Sequence, residues 1–138
     1  MTAADFALDT RLAVDTSPVA SLRLCDVLLM NDARYPWLVL VPRRNGLVEV
    51  ADLDATGQTL LWQELNKVSA ALRSVIPCDK LNIGLLGNIV RQLHVHVVLR
   101  QVGDDAWPGP VWGHGAAVPY AQAALRILVQ SLKQALSA

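Results

Sequence analysis

The sequence predicts an α+β domain: an antiparallel sheet of about five strands, a long helix packed on it, and a second helix near the C-terminus. Three observations carry that prediction. Strand-like runs come in neighbouring pairs joined by short turn-forming segments. One long stretch repeats its apolar residues every three or four positions, and a leucine stripe of the same period follows near the end of the chain.

Residues 5–14 place Leu8 and Leu12 at helical spacing, which predicts a short amphipathic helix. Leu22 to Met30 reads as a buried strand, stopped by the turn pair Asn31-Asp32. Trp37 to Val41 is rich in β-formers and ends at Pro42. The connection Arg34-Tyr35-Pro36 is short enough to make these two strands a hairpin. Asn45-Gly46 signals a turn, after which Leu47 to Val50 reads as one more short strand. Beyond Asp54-Ala55-Thr56-Gly57, the residues Leu61, Leu65, Val68, Leu72 and Val75 define a helix of about five turns, halted by Pro77. Lys80 to Leu86 and Gln92 to Arg100 form a second hairpin around Gly87-Asn88-Ile89-Val90-Arg91. Gln101 to Gly115 is a loop rich in Gly, Pro and Trp. Ala121 to Leu136 is helical, with Leu125, Leu128, Leu132 and Leu136 on one stripe. Both leucine stripes are core.

A chain of 138 residues holds one domain, its main body at about 8–100 and its C-terminal loop and helix at 101–138. With 53% apolar and 17% charged residues, a disordered chain is excluded. Twelve basic residues balance twelve acidic ones, which argues against a nucleic-acid partner, Arg43-Arg44 being only a local basic pair. Cys25 and Cys78 lie far apart without CxxC spacing, so neither a disulfide framework nor a cysteine zinc site is expected; Cys25 reads as a small buried residue. Apolar runs are too short to span a membrane, and no basic region precedes a long apolar one at the N-terminus. The expected location is the cytoplasm, with no membrane partner.

Two of the three histidines stand in Gln92-Leu93-His94-Val95-His96-Val97-Val98, which alternates polar and apolar residues. In a strand this puts Gln92, His94 and His96 on one face, neighbours roughly 6–7 Å apart. Two chemistries suit such a pair. As half of a zinc site it needs a third ligand, and Val98 and Arg100, next on that face, cannot bind metal. As a nucleophile, a neutral imidazole splits one hard displacement into two. Gly84, Gly87 and Asn88 supply backbone and a carboxamide within ten residues of His94. Alone they mark a turn; beside the histidines they suit a phosphate cradle.

The run Leu81-Asn82-Ile83-Gly84-Leu85-Leu86-Gly87-Asn88-Ile89-Val90-Arg91-Gln92-Leu93-His94-Val95-His96-Val97-Val98 resembles the signature of the histidine triad (HIT) family. That signature is His-φ-His-φ-His-φ-φ, with φ apolar, after a loop containing Gly and Asn or Gln. The resemblance covers roughly residues 8–100, and the element order is also similar. The segment from Asp105 to Gly113 looks like the tail of a bacterial HIT subgroup.

The resemblance implies a HIT-like fold and a nucleotide hydrolase or transferase. The substrate would be a nucleoside phosphoramidate or dinucleoside polyphosphate, cleaved at its α-phosphate. By resemblance His94 attacks phosphorus, giving a nucleotidyl-histidine intermediate that water resolves, while His96 contacts the phosphate oxygens. Gly87 and Asn88 would lie against the phosphate, Asn31 near the ribose, and Asn82 would line the same pocket. The family implies no tightly bound cofactor and no metal site, only a divalent cation accompanying a polyphosphate substrate. It also implies a homodimer acting on a small nucleotide.

Two residues depart from the pattern. Gln92 stands at the first histidine position, as in a bacterial subgroup; it keeps a hydrogen-bond donor but cannot act as a general acid. Trp37 stands where several family members carry another histidine. A nucleotide-binding module with little catalysis is the alternative these departures leave open. Outside the motif, His114 reads as an exposed loop histidine, and Trp107 and Trp112 as packing for the C-terminal loop. Arg91, Arg43 and Arg44 read as solvent-facing rather than phosphate-binding.

Overall fold

Five strands lie side by side in a computed structural model that describes residues 6–137. Their order is β1 (Thr16–Ser21), β2 (Cys25–Met30), β3 (Trp37–Pro42), β5 (Val95–Arg100) and β4 (Lys80–Gly84), and every neighbouring pair is antiparallel. Among the described residues three α-helices accompany them: α1 (Thr10–Asp15), α2 (Ala55–Val75) and α3 (Gln122–Ser137). The expected α+β architecture and both expected hairpins are present. Among the described residues no helix is long and apolar enough to cross a membrane.

The five strands are not the five expected. Leu47 to Val50 forms no strand; Val50–Asp52 is a single 3₁₀ turn. The backbone N–H groups of Val48 and Glu49 donate to Asp52 Oδ2 at 3.1 and 2.9 Å, so a local carboxylate takes the donors a ladder would use. The fifth strand is instead Thr16–Ser21. It pairs along β2 at the sheet edge with a register shift between Pro18 and Ala20, a position where proline is tolerated. The first helix starts at Thr10, capped by Asp9, whose side chain accepts from Arg11 N–H; Leu8 precedes it, and residue 5 lies outside the described residues.

The first expected strand also begins late, at Cys25. In the turn before it, Leu24 and Cys25 donate their N–H groups to the two carboxylate oxygens of Glu64, both at 2.8 Å. Glu64 projects from α2 and is buried, so it ties this turn to the long helix. Cys25 is fully buried, as expected.

Each interior strand feeds two cores. Val27, Leu29, Leu38, Leu40, Val95, Val97 and Leu99 pack with Leu61, Leu65, Val68 and Leu72 of α2 and with Leu132 and Leu136 of α3. On the other face Leu28, Trp37, Val39, Val41 and Val98 pack with Leu12, Tyr35, Ala106 and Val111. All six residues of β5 are buried. The histidine-bearing side of the sheet is thus a second packed layer, covered by the N-terminal segment and the loop after β5.

That loop is anchored at several points. Tyr120 N–H donates to Asn31 Oδ1 at 2.9 Å, Ala33 N–H to the Val118 carbonyl at 2.6 Å, and Arg34 Nη1 to the His114 carbonyl at 2.6 Å. The Arg34 guanidinium is itself held by Asp32, which is buried, at 2.9 Å. Trp112 lies against Gly84 of β4, where an added Cβ would stand only 2.7 Å from Trp112 Cη2. Glycine at 84 is a matter of space for the indole, not of turn geometry.

Candidate active site

His94 sits one residue before β5, and His96 is the second residue within it. Gln92 and His94 therefore lie outside the strand that alternation predicts for them. The two imidazoles still meet, with ring centroids 4.9 Å apart and planes at 77°. Both rings are buried.

His94 Nδ1 lies 2.6 Å from the backbone carbonyl of Gln92. A carbonyl oxygen only accepts, so Nδ1 carries a proton, and in the neutral ring Nε2 keeps the lone pair. The Gln92 side chain holds that carbonyl in place from the other end. Its Oε1 accepts from Asp9 N–H at 2.8 Å and its Nε2 donates to the Ala7 carbonyl at 2.9 Å. The carboxamide thus bonds the backbone of the N-terminal segment at both of its ends. A cavity of about 30 Å³, lined by His94, Gln92, Arg91, Gly87, Leu86 and Glu49, gives room for a water-sized group beside the ring.

His96 faces a different surrounding. Trp37 Nε1–H donates to its Nδ1 at 2.9 Å. Trp37 and Trp112 both meet the imidazole edge to face, at 5.6 and 5.5 Å between centroids. Burial, and then the neighbouring His94, lower the His96 pKa from 6.5 to about 4.

The consequence for stability has a definite sign. Between pH 6.5 and about 4 the unfolded chain binds a proton at this position that the folded chain does not. The contribution of neutral His96 is fully present above that window and is lost as the pH falls through it, by up to about 3 kcal/mol. Denaturant unfolding at about pH 7 and about pH 4.5 is expected to show this loss, and His96→Gln to flatten it. Equal slopes for the two proteins would disprove the assignment.

The other sequence-predicted residues are distributed differently. Gly87 has a φ of 74°, lines the cavity at His94, and is followed by Asn88, which is exposed. Asn82 accepts from Arg100 Nη1 at 2.9 Å, within an ion-paired cluster. Asn31 holds Tyr120. Arg91 is exposed at the cavity rim, whereas Arg43 bonds Asp26 and the Leu22 carbonyl at 3.2 and 2.6 Å. Arg44 is exposed, 3.9 Å from Asp54. His114 is exposed and contributes its carbonyl to Arg34. Trp107 lies on the Arg100 guanidinium at 5.5 Å, so both loop tryptophans are packed against the body. Among the described residues no three His, Cys, Asp or Glu side chains converge.

Residues 11–103 match the model of the HIT domain family. Three crystal structures are similar over nearly the whole chain. A histidine triad protein from Sinorhizobium meliloti 1021 shares 47% identity, covering 96% of this chain and 98% of the other, with a TM-score of 0.94. One from Bradyrhizobium japonicum shares 44% over 95% and 98%, with a TM-score of 0.92. One from Marinobacter aquaeolei VT8 shares 43% over 96% of each, with a TM-score of 0.92. Comparison with curated proteins finds no match.

Proposed function

The chain belongs to the HIT domain family, and we propose that it is a nucleotide hydrolase or transferase working through a nucleotidyl-histidine intermediate. Its substrate is a nucleoside phosphoramidate or a dinucleoside polyphosphate, cleaved at the α-phosphate. The observation that carries this reading is the 2.6 Å bond from Nδ1 of His94, a residue lining the cavity, to the Gln92 carbonyl, which in the neutral ring leaves the lone pair on Nε2.

In this reading Nε2 attacks phosphorus and the bond to the leaving group breaks. The ring then carries both the phosphoryl group on Nε2 and the proton on Nδ1, and is cationic. The Gln92 carbonyl dipole stabilises that charge as it forms. His96, 4.9 Å away between ring centroids and neutral near pH 7, meets the phosphoryl oxygens. Water attacks the same phosphorus, the bond to His94 breaks, and a nucleoside monophosphate leaves. No resident metal enters these steps; a divalent cation accompanies a polyphosphate substrate. The same reading carries a cytoplasmic homodimer acting on a small nucleotide, with no nucleic-acid or membrane partner.

A turnover panel of adenosine and guanosine phosphoramidates and dinucleoside polyphosphates, with rapid quenching in alkaline denaturant, tests the proposal. The expected result is release of a nucleoside monophosphate and a nucleotidyl mass adduct on the peptide containing His94. Tight binding of a nucleoside monophosphate with no turnover of any member would replace it with a binding module.

A further inference from the structure

We propose that Trp37 is a positioning residue for this chemistry: its indole N–H fixes His96 as the tautomer protonated on Nε2, so that His96 meets the phosphoryl oxygens as a neutral hydrogen-bond donor. The inference rests on the functional reading above and assigns a role to a side chain that departs from the family pattern.

The direction of the Trp37–His96 bond is unambiguous. An indole nitrogen donates and never accepts, unlike the imidazole or carboxamide that another residue would bring. With Nε1 2.9 Å from His96 Nδ1, that ring nitrogen must keep its lone pair, and the proton of the neutral ring goes to Nε2. An imidazolium would turn an N–H toward another N–H, so protonation requires breaking a buried bond.

Backbone register and packing hold the indole there. Trp37 pairs with Val98 and Val39 with His96, which makes Trp37 a diagonal neighbour of His96 on one face. Tyr35 and Trp112 meet the indole edge to face at 6.5 and 6.1 Å. From β3 and the C-terminal loop, His96 therefore sees indole rings, and from β4 it is paired with Gly84. The titratable neighbour is His94; Arg100, farther along the same face, is engaged by Asp104.

The two histidines are consequently set in opposite senses. His94 donates from Nδ1 and keeps its outward nitrogen bare, while His96 accepts at Nδ1 and keeps its outward nitrogen protonated. One is prepared to attack and the other to donate. Because tryptophan does not titrate, the donor to His96 persists across the neutral pH range.

Long-range proton–nitrogen correlation spectra of the imidazole-labelled protein test this directly. Wild type near neutral pH should show a bare Nδ1 and a protonated Nε2 at His96, with the reverse at His94. A wild-type His96 protonated on Nδ1 overturns the proposal without recourse to any variant. Trp37→Phe, which keeps a ring and removes the donor, should average the His96 tautomers and raise its protonation pH. It should also lower kcat by about 10- to 100-fold with little change in KM, and shift the acid limb of the kcat profile upward. An unchanged His96 spectrum, or unchanged kcat, in a folded Trp37→Phe protein would equally refute it. If no nucleotide is turned over, the functional reading fails, whereas the wild-type spectrum still decides the tautomer.

Discussion

Replacing His94 with alanine is expected to lower kcat on a cleaved nucleoside phosphoramidate by about three to six orders of magnitude. The expectation follows from how few nitrogens near the site can attack. In neutral His94, a residue lining the cavity, Nε2 is the nitrogen with a free lone pair, because its Nδ1 is committed to the Gln92 carbonyl. His96 cannot take over: its Nδ1 accepts from Trp37 and its Nε2 carries the proton. Alanine therefore removes the covalent route, leaving direct attack by water on a bound substrate. The thermal unfolding midpoint should fall only moderately, by the cavity a buried imidazole leaves and one local hydrogen bond, with the folded state retained. Steady-state turnover beside a melting curve checks both halves. Full activity in the variant would remove His94 as nucleophile.

Arg100→Met is expected to cost about 3–5 kcal/mol of stability, a large share of what a small domain has in total. Arg100 is 1% exposed. Its Nε and Nη2 donate to the two oxygens of Asp104, each at 2.8 Å, and Nη1 donates to Asn82. The guanidinium also faces the rings of Tyr35 and Trp107 at 5.7 and 5.5 Å. The hydrogen bond from Arg100 holds the Asp104 carboxyl below its usual range. Methionine fills much of the same space but leaves that carboxylate, 9% exposed, without its counter-charge. Removing both charges, as Arg100→Met with Asp104→Leu, should recover a large part of the loss, because the cost lies in the orphaned ion rather than in the absence of a pair. Denaturant midpoints of the two variants measure it, and equal midpoints would contradict this account.

What the sequence discloses and what it withholds divide along a physical line. The long helix is legible because its signal is local: Leu61, Leu65, Val68 and Leu72 repeat with the helical period, and all four are buried. The histidine pair is legible for the same reason, although His94 stands just outside the strand. Thr16–Ser21 is not, since Pro18 and the serines weaken its strand character and its pairing with β2 is what makes it a strand. Leu47 to Val50 looks like a strand and lacks a ladder, its donors being taken by Asp52.

The parts of the site that escaped are long-range. Gln92 finds its partners 83 and 85 residues earlier. Trp37 reaches His96 across 59 residues through a register that no local pattern reveals. Gly84 reads as one more loop glycine until Trp112 is seen lying on it. Asn31 and Asn82, read as pocket residues, are found holding Tyr120 and Arg100.

The clamp between Gln92 and the N-terminal segment makes one amide a reporter. Asp9 N–H precedes the first helix and has a side chain rather than a backbone carbonyl as its acceptor. It is donated to the side chain of Gln92, the residue whose backbone carbonyl holds His94 Nδ1. Deuterium uptake at that amide is therefore a substrate-free gauge of how firmly His94 is aimed. A loosened Gln92 would show itself there as faster uptake.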